Sequence, residues 1–209
     1  LSGIKKRVCD ACFPIAEEYG FTFVGGHPMA GKEVAGFDNA EAELYEGASM
    51  ILVPTRATGQ GDIEELTQLF LQLGFGMCKI CDAREHDRMI AHTSQLCHVV
   101  SNCYVKSPSS PNHKGFSAGS YRDMIRVAAV NEVLWTDLFM TNRDALLEEL
   151  DIFVSDLMKN LEIECEVSFV KFSSYQGADT TGTVKQVLGL AESIAGRDVI
   201  IVEDIVDTG

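Results

Sequence analysis

The sequence holds no apolar run near the roughly 18 to 20 residues that a helix needs to cross a bilayer. It opens on no secretory leader either, so no membrane span and no signal peptide are expected. Cations are scarce. Lys and Arg number 17 against 31 Asp and Glu, a net charge of −14. That balance argues against general nucleic-acid or anionic-membrane binding, which needs basic patches. There is no G-x-G-x-x-G, so a dinucleotide phosphate loop is not found within these residues. Seven cysteines include two Cys-x-x-Cys pairs, Cys9/Cys12 and Cys78/Cys81. Their separation far exceeds zinc-ribbon spacing and each lies in an apolar-periodic segment, so reduced thiols in a cytoplasmic chain are expected instead. The first residue is Leu1, which reads as a fragment.

What is present is ordinary globular material, 46% hydrophobic and 23% charged, enough for one large domain or two small ones. Phe21-Thr22-Phe23-Val24 reads as a strand ending in Gly25-Gly26-His27-Pro28-Met29-Ala30-Gly31. Glycines let the chain turn without a Cβ penalty, and Pro28 fixes the backbone behind His27. Two readings of the corner stand. His27 is an acid/base presented at a strand's carboxyl end, or it is a polar residue on a surface turn.

Ile4, Val8, Cys12 and Ile15 recur at helical spacing before Gly20. Asn39 to Tyr45 reads as a short helix and Ser49–Pro54 as an apolar strand. A helix follows, N-capped by Asp62 with Glu65 completing a capping box, and then a strand over Gly76–Cys81. This alternation predicts the back part of a parallel α/β unit. From Glu85 onward the pattern turns helical: His86 to Lys106, then two helices between Tyr121 and Asn160. Within it, His98 sits among Leu96, Val99 and Val100, and Arg126 lies on an apolar turn where its guanidinium must meet an anion.

Several of these segments, in order, resemble the prephenate dehydrogenase family: Gly25–Gly31 with Lys32-Glu33, Leu44–Gly47, Thr93–His98, Gly119–Arg126 and Leu134–Asp137. The resemblance implies an α/β plus all-α chain. Residues 1–82 would be the C-terminal half of a Rossmann-type parallel sheet. Residues 83–153 would form a helical dimerisation domain through which the chain pairs as a homodimer. It further implies oxidation of prephenate with NAD or NADP to 4-hydroxyphenylpyruvate and CO₂, with His27 as general base, Arg126 clamping a substrate carboxylate and His98 lining the pocket. Relatives often carry His-Leu-Pro-His where this chain has Gln95-Leu96-Cys97-His98, and some place a serine where Gly3 stands.

The last stretch, residues 154–209, resembles a different family. Val167–Phe172 alternates as a strand, Ser173–Gly182 is a polar loop, and Val199–Val202 is an apolar strand running into Glu203-Asp204-Ile205-Val206-Asp207-Thr208-Gly209. These residues are similar to the phosphoribosyl-pyrophosphate motif and mobile loop of hypoxanthine-guanine phosphoribosyltransferases. The resemblance implies a partial α/β segment in which Glu203 and Asp204 hold ribose hydroxyls and, with pyrophosphate, Mg²⁺. Asp207 would act as base near a purine, and Thr208 and Gly209 would begin a 5′-phosphate loop. The two resemblances meet near Leu150–Ser155 with no Pro/Gly/Ser linker, so a chimera of two truncated enzymes is expected, with an unusual natural fusion as the alternative and neither reaction run efficiently. A non-catalytic dimerising chain is the third reading.

Overall fold

The computed structural model of the chain describes residues 2–32, 36–160, 171–176, 179–188 and 194–197. By its contacts the chain divides into residues 1–157 and 158–209. In the first unit, helix α1 (Lys6–Tyr19) leads to β1 (Val24–Pro28), β2 (Ser49–Pro54), α2 (Gln60–Gln72) and β3 (Met77–Ile80). A continuous helical stretch follows, made of α3 (Ala83–Ile90), a π-helical turn (Ala91–Gln95) and α4 (Leu96–Val105). Then come α5 (Gly119–Ala128), α6 (Glu132–Thr141) and α7 (Arg143–Asn160). Among the described residues, no helix is long and apolar enough to cross a membrane.

The sheet corrects the expected all-parallel arrangement. Its order is β1-β2-β3; β2 and β3 are parallel, but β1 runs antiparallel to β2, with His27 opposite Ile51. The cause lies in the connections. Helix α2 supplies the crossover that a parallel pair needs, whereas between β1 and β2 the described residues hold only the 3₁₀ turns Phe37–Asn39 and Ala42–Tyr45, and the chain turns back. Those turns also replace the helix expected over residues 39–45. Strand β1 begins at Val24, so His27 is a paired strand residue rather than a corner after one.

Helix α2 starts at Gln60 after Gly59, and Asp62 falls in its first turn, where its charge suits the helix dipole without capping the end. The segment Tyr121–Asn160 forms three helices, because Asn131 caps α6 through its side chain and Asn142 separates α6 from α7. In the second unit, β4 (Lys171–Gln176) and β5 (Asp179–Leu188) pair antiparallel, so part of the expected polar loop Ser173–Gly182 is strand. The expected strand Val199–Val202 lies outside the described residues.

Met50, Leu52 and Phe75 form the core under the sheet, with Val24, Ala48, Leu66, Phe70 and Cys78 packed around them. Phe75 stacks on Tyr45 and meets Phe70 edge-on, at centroid distances of 5.3 and 5.5 Å. The entry into β3 is tight: a Cβ on Gly76 would lie 2.6 Å from the Gly47 carbonyl oxygen. Gly76→Ala must therefore push two backbones apart. We expect it to lower stability by about 1 to 3 kcal/mol, read as a lower urea midpoint; an unchanged midpoint would refute the close approach. Gly25 is crowded from the other side, where an added Cβ would sit 3.2 Å from both Cys9 Sγ and Lys5 Cδ. Helix α1 thereby comes close to the strand that carries His27.

Candidate active site

Asp87 is where α1, α3 and the histidines converge. Its Oδ1 accepts the Lys5 N–H at 2.7 Å and its Oδ2 accepts the Lys6 N–H at 2.8 Å. A carboxylate at that point satisfies two of the amide groups that a helix start leaves unpaired and complements the dipole. Asp87 Oδ1 also lies 2.6 Å from His86 Nδ1. Burial raises the Asp87 pKa, but the hydrogen bonds from His86, Lys5 and Lys6 outweigh it and hold the carboxyl below its ordinary range. An ionised Asp87 can only accept, so His86 Nδ1 carries a proton; in the neutral ring, Nε2 then holds the lone pair.

His86 is 1% exposed, and its Nε2 stands 2.8 Å from His27 Nδ1. The same logic passes along the series. His27 Nδ1–H donates to His86 Nε2, which leaves His27 Nε2 as the basic nitrogen. Burial, then the Lys5 ammonium, then His86 push the His27 pKa down from 6.5 to about 4, against a smaller opposing effect of Asp87. His27 is therefore neutral at pH 7 and able to take a proton. It lines a cavity of about 300 Å³ with Pro28, Met29, Ala30, Gly31, Ile90 and Ser94.

Lys5 is 1% exposed; its ammonium donates to the Ser2 carbonyl and lies 3.3 Å from Ser2 Oγ. Burial lowers its pKa, against the nearby Asp87 charge.

The other two expected site residues form a separate group on the helices. His98 Nδ1 donates to the Val127 carbonyl at 2.7 Å, and its ring lies 3.7 Å from that of Trp135. Burial lowers its pKa, against the hydrogen bond to Val127. Arg126, next to Val127 on α5, is exposed, so the expectation that burial forces its guanidinium onto an anion is not met. Neither lines the cavity at His27, although Ser94, which does, is four residues before His98. Glu203, Asp204, Asp207, Thr208 and Gly209 lie outside the described residues. Among the described residues, no group of three or more His, Cys, Asp or Glu side chains could hold a metal ion.

Sequence reasoning passed over His86, Asp87, Gln95 and Asn142. One signal was available: in Glu85-His86-Asp87-Arg88-Met89-Ile90, two polar residues share the inward face with Ile90 while Met89 points outward.

In this unit a sheet carries a hydrogen-bonded histidine beside a layer of helices. Residues 1–78 match the family model described as prephenate dehydrogenase, nucleotide-binding domain, and residues 82–167 match prephenate dehydrogenase, dimerization domain. Over these residues the chain is similar, in both parts, to the prephenate dehydrogenase family. Residues 152–209 match a phosphoribosyl transferase domain.

The cyclohexadienyl dehydrogenase of Zymomonas mobilis is 37% identical over 143 residues, which cover 65% of this chain and 48% of that protein. The hypoxanthine phosphoribosyltransferase of Buchnera aphidicola is 44% identical over 66 residues, 31% of this chain and 37% of that one. Among solved structures, the A. aeolicus prephenate dehydrogenase in complex with hydroxyphenyl propionate and NAD+ matches with a TM-score of 0.62 at 25% identity. The match covers 75% of this chain and 55% of that one. The chain spans about half the length or less of the curated relatives it matches.

Proposed function

We propose that residues 1–157 carry the proton-accepting side of a prephenate dehydrogenase site, oxidising prephenate to 4-hydroxyphenylpyruvate and CO₂. The hydrogen-bonded series Asp87–His86–His27 is the observation that carries this reading. In it, His27 Nε2 takes the proton of the ring hydroxyl as that carbon gives up hydride and becomes a ketone. Loss of the ring carboxylate as CO₂ then leaves its bonding electrons in the ring, which becomes aromatic. His86 fixes the His27 tautomer, and the charge of Asp87 favours the imidazolium pair once the proton has arrived.

Arg126 and His98, on the helical layer, bind a substrate carboxylate. A nicotinamide, NAD or NADP, supplies the hydride acceptor when bound. The apolar cavity at His27 fits a six-membered ring rather than a dinucleotide, and the 209 residues contain no G-x-G-x-x-G. Exposed Val133, Met140 and Ile152 on α6 and α7 give the helical layer an apolar surface suited to a homodimer. The setting is cytoplasmic, in keeping with the free cysteines.

Titrating the purified chain with 4-hydroxyphenylpyruvate tests the reading. Binding is expected, with His27→Gln weakening it about tenfold, and prephenate oxidation with NAD or NADP is expected to be slow. Binding that ignores His27→Gln would sink the assignment of the base. Brisk turnover would overturn the claim of a crippled chain.

The match of residues 152–209 favours a second reading for the last segment. In it Glu203 and Asp204 hold ribose and Mg²⁺, Asp207 acts on a purine, and Thr208 and Gly209 take phosphate. Phosphoribosyl pyrophosphate with Mg²⁺, added to the same titration, tests it. The two family matches overlap over residues 152–167, and α7 crosses from Arg143 to Asn160 without a break. We read the chain as a join of two enzyme families, which sequencing of single DNA molecules across those codons decides.

A further inference from the structure

Two side-chain amides sit behind the histidine pair with no role in the chemistry above. Asn142 is 5% exposed, and Gln95 is 1% exposed. From the junction of α6 and α7, Asn142 Nδ2 donates to the Asp87 carbonyl and to Gln95 Oε1, both at 2.8 Å. Gln95 in turn donates from Nε2 to the Leu138 carbonyl at 3.0 Å. The Asn142 backbone N–H bonds that same carbonyl at 3.1 Å, so the two residues close a ring of hydrogen bonds on the end of α6.

The place where this ring meets the long helix matters. Asp87 O also accepts the Ala91 N–H, and the π-turn begins at Ala91. A side chain that takes a share of a helical carbonyl is a known cause of a local break in the i→i−4 ladder. Gln95, at the other end of the same turn, is held by the same amide. The turn therefore sits between two fixed points, with His86 and Asp87 on one side of it and Ser94 on the cavity side.

We propose that Asn142 is a positioning residue for the proton-accepting pair: clamped by Gln95, it holds the π-turn and so keeps His86 and Asp87 in register with His27. The consequence for catalysis rests on the proposed function, but the positioning does not. Both hydrogen bonds from Asn142 need its donor atoms, so Asn142→Asp, which keeps size and shape, loses the clamp as fully as Asn142→Leu.

Imidazole NMR titration of the 209-residue chain tests this. The charged and titratable groups facing His27 are Lys5 from the start of α1 and His86 and Asp87 from α3. In the unaltered chain His27 titrates near 4. In Asn142→Leu and Asn142→Asp this titration should shift, as His86 and Asp87 leave their places beside His27, and the protonated Nδ1 signal of His86 should fade. Asp144→Asn, on the exposed side of α7, serves as the control and should change neither.

If Asn142→Leu does not fold, Gln95→Met removes the same clamp and leaves the backbone cap of α6 intact. Folded variants with lower thermal midpoints but unmoved His27 titration would overturn the proposal. No substrate enters this experiment, so its failure and that of the dehydrogenase reading are told apart by the ligand titration.

Discussion

Asp87→Asn should destabilise the chain by about 3 kcal/mol, a loss of roughly 5 to 15 °C in thermal midpoint for a chain of this length. Three donors converge on the Asp87 carboxylate, from Lys5 N, Lys6 N and His86 Nδ1. An asparagine offers one acceptor oxygen and turns a donor toward at least one of those three. A buried donor facing another donor costs the full desolvation of both groups. The effect should depend on pH in a definite direction. Because the folded carboxyl is held low, its contribution is present above the ordinary carboxylate range and is lost as pH falls through the lower folded value. The gap between wild type and variant should therefore be wide at neutral pH and narrow in strong acid. Circular dichroism melts at both pH values check this, and equal midpoints at neutral pH would dispose of it.

His27 makes the second large prediction. Its folded pKa of about 4 lies below the ordinary 6.5, so between those values the unfolded chain binds a proton that the folded chain refuses. Stability is then full above the ordinary value, falls as pH drops from 6.5 toward 4, and levels below. A shift of that size in a fully buried ring would be worth about 3 kcal/mol; His27 is partly open to solvent, so about 2 kcal/mol is expected. After burial itself, the Lys5 ammonium is the largest cause of the depression. Lys5→Met keeps the stem that packs under Gly25 and removes the charge. Its baseline stability shifts as the bonds to Ser2 go, but the informative quantity is the slope. Urea midpoints at about pH 7 and about pH 4.5 should fall less in Lys5→Met than in the wild type. Parallel losses in the two proteins would mean that Lys5 does not act on His27.

The sequence carried the helices well, because their apolar residues repeat at the period that a buried face demands, as at Ile4, Val8, Cys12 and Ile15. It carried His27 as a candidate because two glycines and a proline frame it. What it could not carry was the direction of β1. Strand direction follows from what connects the strands, and residues 29–48 give no pattern that separates two short 3₁₀ turns from a helix. The partners of His27 were hidden for a related reason. His86 and Asp87 lie 59 and 60 positions away and are joined to it only by tertiary contacts, so no local spacing announces them. Asn142 and Gln95 are likewise ordinary helix polar residues until the fold sets them against each other and against the Asp87 carbonyl.

The π-turn at Ala91–Gln95 acts as a phase shifter. A π-turn takes about one residue more than an α-turn to come round, and one residue on an α-helix is about 100° of azimuth. The stretch from Ala83 to Val105 therefore carries two azimuthal settings on one axis. The first aims His86 and Asp87 toward α1 and β1, and the second aims His98 toward Val127 and Trp135. Deleting a single residue inside the turn would leave a longer, more regular helix with every apolar residue retained. It would also swing one of the two groups about a quarter of a revolution off its target. The spare residue is what lets one helix serve two faces at once.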